Sequence, residues 1–184
     1  MTDDINPQRR SLLGGALAAG TMMGGALKPS SAQATSDSSV MAIDVHTHMY
    51  TPGWREAVRQ ANDPHIKLPS GPGGADSMFY MWSNVGVLGN GMFDWDVRIK
   101  KMDEARVDLA IVSLSSPNVF LAEREHSVKA ARAANDDFAA AAAKYPARIR
   151  WMASLPWDFT TDALAELRRA KDAGAIGVCL WTMA

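Results

Sequence analysis

The sequence predicts an α/β domain built on a parallel sheet, and three observations predict it. Short apolar runs suited to strands recur at residues 41–48, 107–114, 149–155 and 176–181. Amphipathic or Ala-rich stretches of helical length separate the last three from what precedes them. The runs at 107–114 and 149–155 are nearly continuous in apolar residues, as strands covered on both faces require. Strands separated by helices connect by right-handed crossovers and pair in parallel.

In Met41-Ala-Ile-Asp-Val-His-Thr-His48, Ile43 and Val45 alternate with Asp44, His46 and His48. That period of two reads as a strand, with Ile43 and Val45 packed on helices. Residues 50 to 93 read as irregular, with Thr51-Pro52-Gly53 and Gly-rich stretches near 68–76 and 86–91. A loop of that length is unusual and often functional. Its aromatics Trp54, Phe79, Tyr80 and Trp82 either cover a pocket or pack on the exterior.

Asp94 is a fair helix N-cap, and Trp95, Ile99 and Met102 follow at i, i+4 and i+7, which predicts a helix over 94–105. The strand at 107–114 comes next. An Ala-rich helix covers 123–145 and stops before Pro146. Pro156 closes the strand at 149–155. The helix at 160–173 takes Thr161 and Asp162 as its cap and Gly174 as its stop. Four strands with three helices fit a small open sheet or half of a (β/α)8 barrel, which takes about 250 residues in full. No helix follows 176–181 to cover that strand, so the expected fold is the N-terminal half of a (β/α)8 TIM barrel.

Residues 1 to 34 read as an export signal. Arg9-Arg10-Ser11-Leu12-Leu13 precedes a mildly apolar Gly/Ala stretch, and Ala32-Gln33-Ala34 supplies a small-x-small cleavage site. The pattern resembles the twin-arginine variant and implies a periplasmic protein. Replacing Arg9 and Arg10 together by lysine is expected to hold the precursor in the cytoplasm. Unchanged delivery across the membrane would rule the route out. The stretch is too short and Gly-rich for a stable membrane span.

The remaining 150 of 184 residues, 35–184, suffice for one core. A net charge of -1 with no long basic run argues against nucleic acid as a partner. The single cysteine, Cys179, lies in an apolar run and reads as a small core residue.

The chemistry concentrates at His46 and His48. Residues two apart on a strand share a face, so this spacing sets two imidazoles side by side at the strand's C-terminal end. Two converging neutral imidazoles suit a borderline divalent metal such as zinc. Asp44 is in phase with them, one step deeper. His65 and His126 fall in a loop and near a helix start, away from strand ends.

Asp44-x-His46-x-His48 is similar to the first-strand motif of the amidohydrolase superfamily. Asp96-Val-Arg98-Ile-Lys-Lys-Met-Asp103-Glu-Ala-Arg-Val107-Asp, Tyr145-Pro-Ala-Arg148 and Ala173-Gly-Ala-Ile-Gly177 resemble the branch that contains aminocarboxymuconate-semialdehyde decarboxylase. The resemblance spans about residues 41 to 182. It implies a (β/α)8 barrel holding one divalent metal, usually zinc, with His46 and His48 among the ligands. It also implies a small carboxylic acid or amide as substrate, and metal-dependent hydrolysis or non-oxidative decarboxylation as the reaction. Family ligands and proton-transfer groups on later strands have no counterpart here, so the catalytic residues are unknown. Residues 68–97 also lack the arginine that grips a carboxylate in the semialdehyde decarboxylases. Ser115 and Trp157 follow strand ends at the mouth where such barrels bind substrate, and packing explains them as well.

Two other readings remain open. One is a catalytically inactive half-barrel for binding or assembly, pairing with itself as a homo-oligomer or with another chain. The other is a metal-dependent phosphoesterase on the same scaffold.

Overall fold

A computed structural model describes residues 40–64, 66–68, 76–80, 83–88 and 90–180. The chain divides after Ser36, and every described residue belongs to the second unit. The signal-peptide reading of residues 1 to 34, together with His65, Trp82 and the side chains of Phe79 and Tyr80, lies outside the described residues.

The elements run β1 (Ile43–His48), α1 (Pro52–Ala61), β2 (Ile66–Lys67), β3 (Asp76–Tyr80), β4 (Ser83–Leu88), a 3-10 turn (Asn90–Met92), α2 (Trp95–Glu104), β5 (Leu109–Ser113), α3 (Arg124–Lys144), β6 (Ile149–Ala153), α4 (Thr160–Asp172) and β7 (Gly177–Val178). The strands β1-β5-β6-β7 form one four-stranded sheet, parallel throughout. This is the predicted α/β arrangement of four parallel strands with intervening helices.

Residues 50 to 93 depart from the irregular expectation. They hold helix α1 and a three-stranded antiparallel sheet, β2-β3-β4. Thr51 is the N-cap of α1, its hydroxyl accepting from the Trp54 amide at 3.3 Å, and Pro52 opens the first turn. Proline there costs nothing, since its missing N–H would lack a helical partner anyway. Trp54, Ala57 and Val58, at i, i+3 and i+4, are the buried stripe. Asn62 ends the helix in the left-handed region at φ 48°.

The core lies between the sheet and α1 and α3. Ala110 and Val112 of β5 and Ile149, Trp151 and Ala153 of β6 face Ala130, Ala131, Ala134 and Phe138 of α3. Phe138 and Trp151 pack with centroids 6.2 Å apart. Only this face is fully buried. Leu109, Ile111 and Ser113 of β5, with Arg150 and Met152 of β6, are half-buried on the other, so burial alternates where both faces were expected to be covered.

Strand β1 also departs from expectation. Ile43 and Val45 are 47% and 70% exposed rather than packed on helices. The pairing with β5 runs Ile43↔Leu109 and Asp44↔Ala110, then shifts before Thr47↔Val112 and His48↔Ser113. One extra residue enters β1 within that interval, which is what a β-bulge does. Ile43 is thereby paired with the half-exposed Leu109, and Asp44 with the buried, helix-facing Ala110.

The C-terminal elements match with smaller changes. The N-cap of α4 is Phe159, with no side-chain cap bond, instead of Thr161 or Asp162. Asp162 accepts a two-pronged pair from Arg124 at 2.6 and 2.7 Å. Gly174 follows the helix at φ 98°, a conformation glycine adopts without Cβ strain. The last strand shrinks to Gly177–Val178, and Cys179 is half-buried, its amide donating to the Ala153 carbonyl at 2.9 Å.

Candidate metal centre

The two sequence-predicted ligands come together. His46 Nε2 and His48 Nε2 lie 3.1 Å apart, and the rings meet edge to face with centroids at 5.0 Å. A divalent ion such as zinc binds imidazole nitrogen at about 2.0–2.1 Å, so two nitrogens this close reach one ion together. The pair sits at the C-terminal end of β1, as the alternation predicted. His46 is exposed and His48 half-buried, which leaves the pair open to a cation from solvent.

Asp44 does not join the pair in phase. The shifted register places it opposite Ala110, and its Oδ1 accepts from the His46 amide at 3.1 Å. Its carboxylate holds the bulged backbone that presents His46. It still acts on the site through its charge, opposing the downward pKa shifts that burial gives His48 and Arg98.

His48 is held from two directions that sequence reasoning left without a role. From β5, Ser113 Oγ lies 3.0 Å from His48 Nδ1. From α2, Arg98 crosses behind the strand and donates to the His48 carbonyl and to Thr47 Oγ1, each at 2.8 Å. Asp94 fixes the start of α2 by accepting from the Asp96 and Val97 amides, so Arg98 projects from an anchored first turn. Burial pushes the Arg98 guanidinium below its ordinary range, with Asp44 opposing.

The His48 imidazole is likewise shifted down. Desolvation comes first, then the neighbouring His46 ring; the main-chain hydrogen bond to Ser113 opposes, Arg98 lowers it further and Asp44 raises it. The net effect favours the neutral ring, the form that binds a cation. Among the described residues no group of three or more His, Cys, Asp or Glu is placed to hold a metal. The two imidazoles are thus a fitting but partial donor set. His126 lies on α3, half-buried and outside any such group.

The two mouth residues find separate tasks. The Ser115 side chain opposes the upward shift that burial gives the Tyr50 phenol. Trp157 is partly exposed, its amide donating to the Leu155 carbonyl. The signals for Ser113 and Arg98 were present as a hydroxyl ending the second predicted strand and an arginine early in the helix before it. Their roles depend on strand register, which local sequence does not specify.

No family model matches the chain. Gamma-resorcylate decarboxylase from Rhodococcus jostii is 43% identical over 84 residues, which are 45% of this chain and 26% of that protein. The enzyme of the same name from Polaromonas is 38% identical over 84 residues, with the same shares. Among solved structures, an amidohydrolase II matches at 29% identity and TM-score 0.55, over 75% of this chain and 39% of that one. A dihydroxybenzoic acid decarboxylase from Polaromonas, holding manganese and the inhibitor 2-nitroresorcinol, matches at 26% identity and TM-score 0.54, over 75% and 37%. The chain therefore spans about a quarter of the curated relatives it matches and less than two fifths of these structures. Over that part it is related to the decarboxylases of the amidohydrolase superfamily, and its four parallel strands correspond to part of their barrel.

Proposed function

We propose that this chain supplies the first-strand cation ligands of a divalent-metal-dependent decarboxylase acting on a small aromatic carboxylic acid. The observation that carries the reading is the 3.1 Å approach of His46 Nε2 and His48 Nε2 at the C-terminal end of β1. Decarboxylation is favoured over hydrolysis because both curated relatives named above, and the solved structure from Polaromonas, are decarboxylases. Manganese stands beside zinc as the candidate ion, since a related structure holds it. A bound divalent cation would supply Lewis acidity toward a substrate oxygen.

The chain's own residues do the rest of what is described. His46 and His48 hold the ion, Asp44 fixes the backbone that presents His46, and Arg98 fixes the carbonyl of His48. Among the described residues no third His, Cys, Asp or Glu joins the pair in a group placed to hold a metal.

A second reading, assembly of half-barrels, is favoured by the exposed apolar side chains Val40 and Met41 just before β1 and Ile43 and Val45 along it. Among the described residues β1 pairs on one side only, and an open strand edge invites a partner strand.

The test is titration of the metal-free protein with manganese and with zinc by calorimetry, with sizing alongside. One ion per chain is expected, with modest affinity, because catalytic sites of this kind generally use three protein ligands. His46→Ala and His48→Ala are each expected to remove binding. In the wild type, 2,6-dihydroxybenzoate is expected to tighten manganese binding. Unchanged affinity in the double variant would overturn the reading.

A further inference from the structure

We propose that Val45 is a surplus residue in β1, and that Asp44 is the positioning residue that lets the strand absorb it so that His46 and His48 reach one open face. The inference rests on the cation reading above and goes beyond it, to what keeps the two donors together.

Residues that stand side by side in paired strands share a face of the sheet. Ala110 and Val112 of β5 are buried on the helix side, and Leu109, Ile111 and Ser113 are half-buried on the open side. Asp44 beside Ala110 therefore belongs to the helix side, and so does Thr47 beside Val112. Thr47 is buried there, with its hydroxyl on Arg98 of α2. From Asp44 to Thr47 is three steps along β1, while from Ala110 to Val112 is two along β5. Val45 and His46 thus stand together against Ile111. His46 holds the regular place, because its ring meets that of His48, which pairs with Ser113 on the open side. Val45 is left over and exposed.

A strand without the bulge shows what the extra residue would do. In unbroken register from Asp44, His46 would stand beside Val112 and His48 beside Leu114, both fully buried residues. A slip of one residue turns every later side chain to the other face. The bulge confines that slip to Val45, at the cost of local ladder bonds. The His46 amide instead donates to Asp44 Oδ1 at 3.1 Å, closing a short turn over Val45. That bond spans residue 45 alone, so Asp44 has this task only while Val45 is present. Asp44 acts on the rings through the main chain. Among the described residues it joins no group of three placed to hold a metal.

The experiment compares the full chain with four variants: Asp44→Ala, Asp44→Asn, deletion of Val45, and that deletion combined with Asp44→Ala. Nuclear Overhauser contacts between the His46 and His48 rings are read in the metal-free proteins, and zinc and manganese are titrated by calorimetry. Asp44→Ala is expected to lose the ring contacts and to bind either ion about 10–100-fold more weakly, the usual cost of losing a group that orients a ligand. Asp44→Asn keeps an acceptor oxygen without the charge and is expected to retain both. Deleting Val45 leaves His46 beside Ile111, Thr47 beside Val112 and His48 beside Ser113 in unbroken register. That protein is expected to fold, to keep the ring contacts and to bind like the wild type. Asp44→Ala is expected to cause no further loss in it, although the same carboxylate is removed. A deletion protein that fails to fold or separates the rings overturns the proposal. So does an Asp44→Ala loss of equal size with and without Val45, or an Asn variant as weak as the Ala variant. A wild type that binds neither ion, while the ring contacts follow the expected pattern, overturns the cation reading and leaves the register assignment standing.

Discussion

Replacing Asn135 by alanine is expected to cost about 3 kcal/mol of folding stability, with no direct contact to the histidine pair lost. Asn135 is a buried polar residue on α3 that ties three elements together. Its Nδ2 donates to the Ser154 carbonyl at 2.9 Å and to Glu166 Oε1 at 2.7 Å, and its Oδ1 accepts from the Ser154 amide at 2.9 Å. Ser154 follows β6, and Glu166 lies on α4. Removing the amide strands both main-chain groups of Ser154 in the interior, and each unsatisfied buried group costs about 1–3 kcal/mol. It also takes a donor from Glu166, a carboxylate only 3% exposed.

Arg169 remains to neutralise Glu166, donating from Nε and a terminal nitrogen at 2.8 and 2.7 Å. That two-pronged contact is the main cause of the upward shift of the Arg169 guanidinium. It keeps the loss short of the full penalty for an unpaired buried charge. Urea unfolding of wild type and Asn135→Ala measures the difference. A loss below about 1 kcal/mol would mean that water replaces the amide on Ser154 and Glu166.

What local sequence conveyed, and what it did not, divides along a physical line. The α2 cap at Asp94, the Ala-rich α3 and the stop at Gly174 depend on interactions within a few residues, and they were readable in order. The meeting of His46 and His48 was readable too, because two residues on one strand need no partner to share a face. Helix α1 was missed because Thr51-Pro52-Gly53 suits a turn as well as an N-cap with proline in the first turn. The bulge in β1 was invisible for a different reason. Its period of two is intact in the sequence, and only pairing with β5, some 65 residues away, reveals the shift. Asp44 was misplaced for that reason, and Ser113 went without a role. The exposure of Ile43 and Val45 marks a third limit. An apolar pattern says which side chains favour burial, while what covers them is decided by distant elements.

Trp54→Ala is expected to cost about 4 kcal/mol, within the range for deleting a buried aromatic ring. Trp54 is fully buried, packs on Tyr50 with centroids 5.2 Å apart, and donates from Nε1 to the Asn118 carbonyl at 2.6 Å. The Tyr50 hydroxyl in turn donates to the Ser116 carbonyl at 2.8 Å. Together these bonds tie the chain leaving β1, just past His48, to the chain leaving β5, just past Ser113. Trp54→Phe separates the two contributions. It retains most of the apolar contact and loses the indole N–H, so it is expected to cost about 1–2 kcal/mol. Unfolding in urea gives both values, and cation titration gives the functional counterpart. The Phe variant is expected to bind manganese like the wild type, because the contacts to His48 from Ser113 and Arg98 do not pass through the indole. Equal destabilisation by Ala and Phe would show that the bond to Asn118, rather than the packing of the ring, holds the two strand exits together.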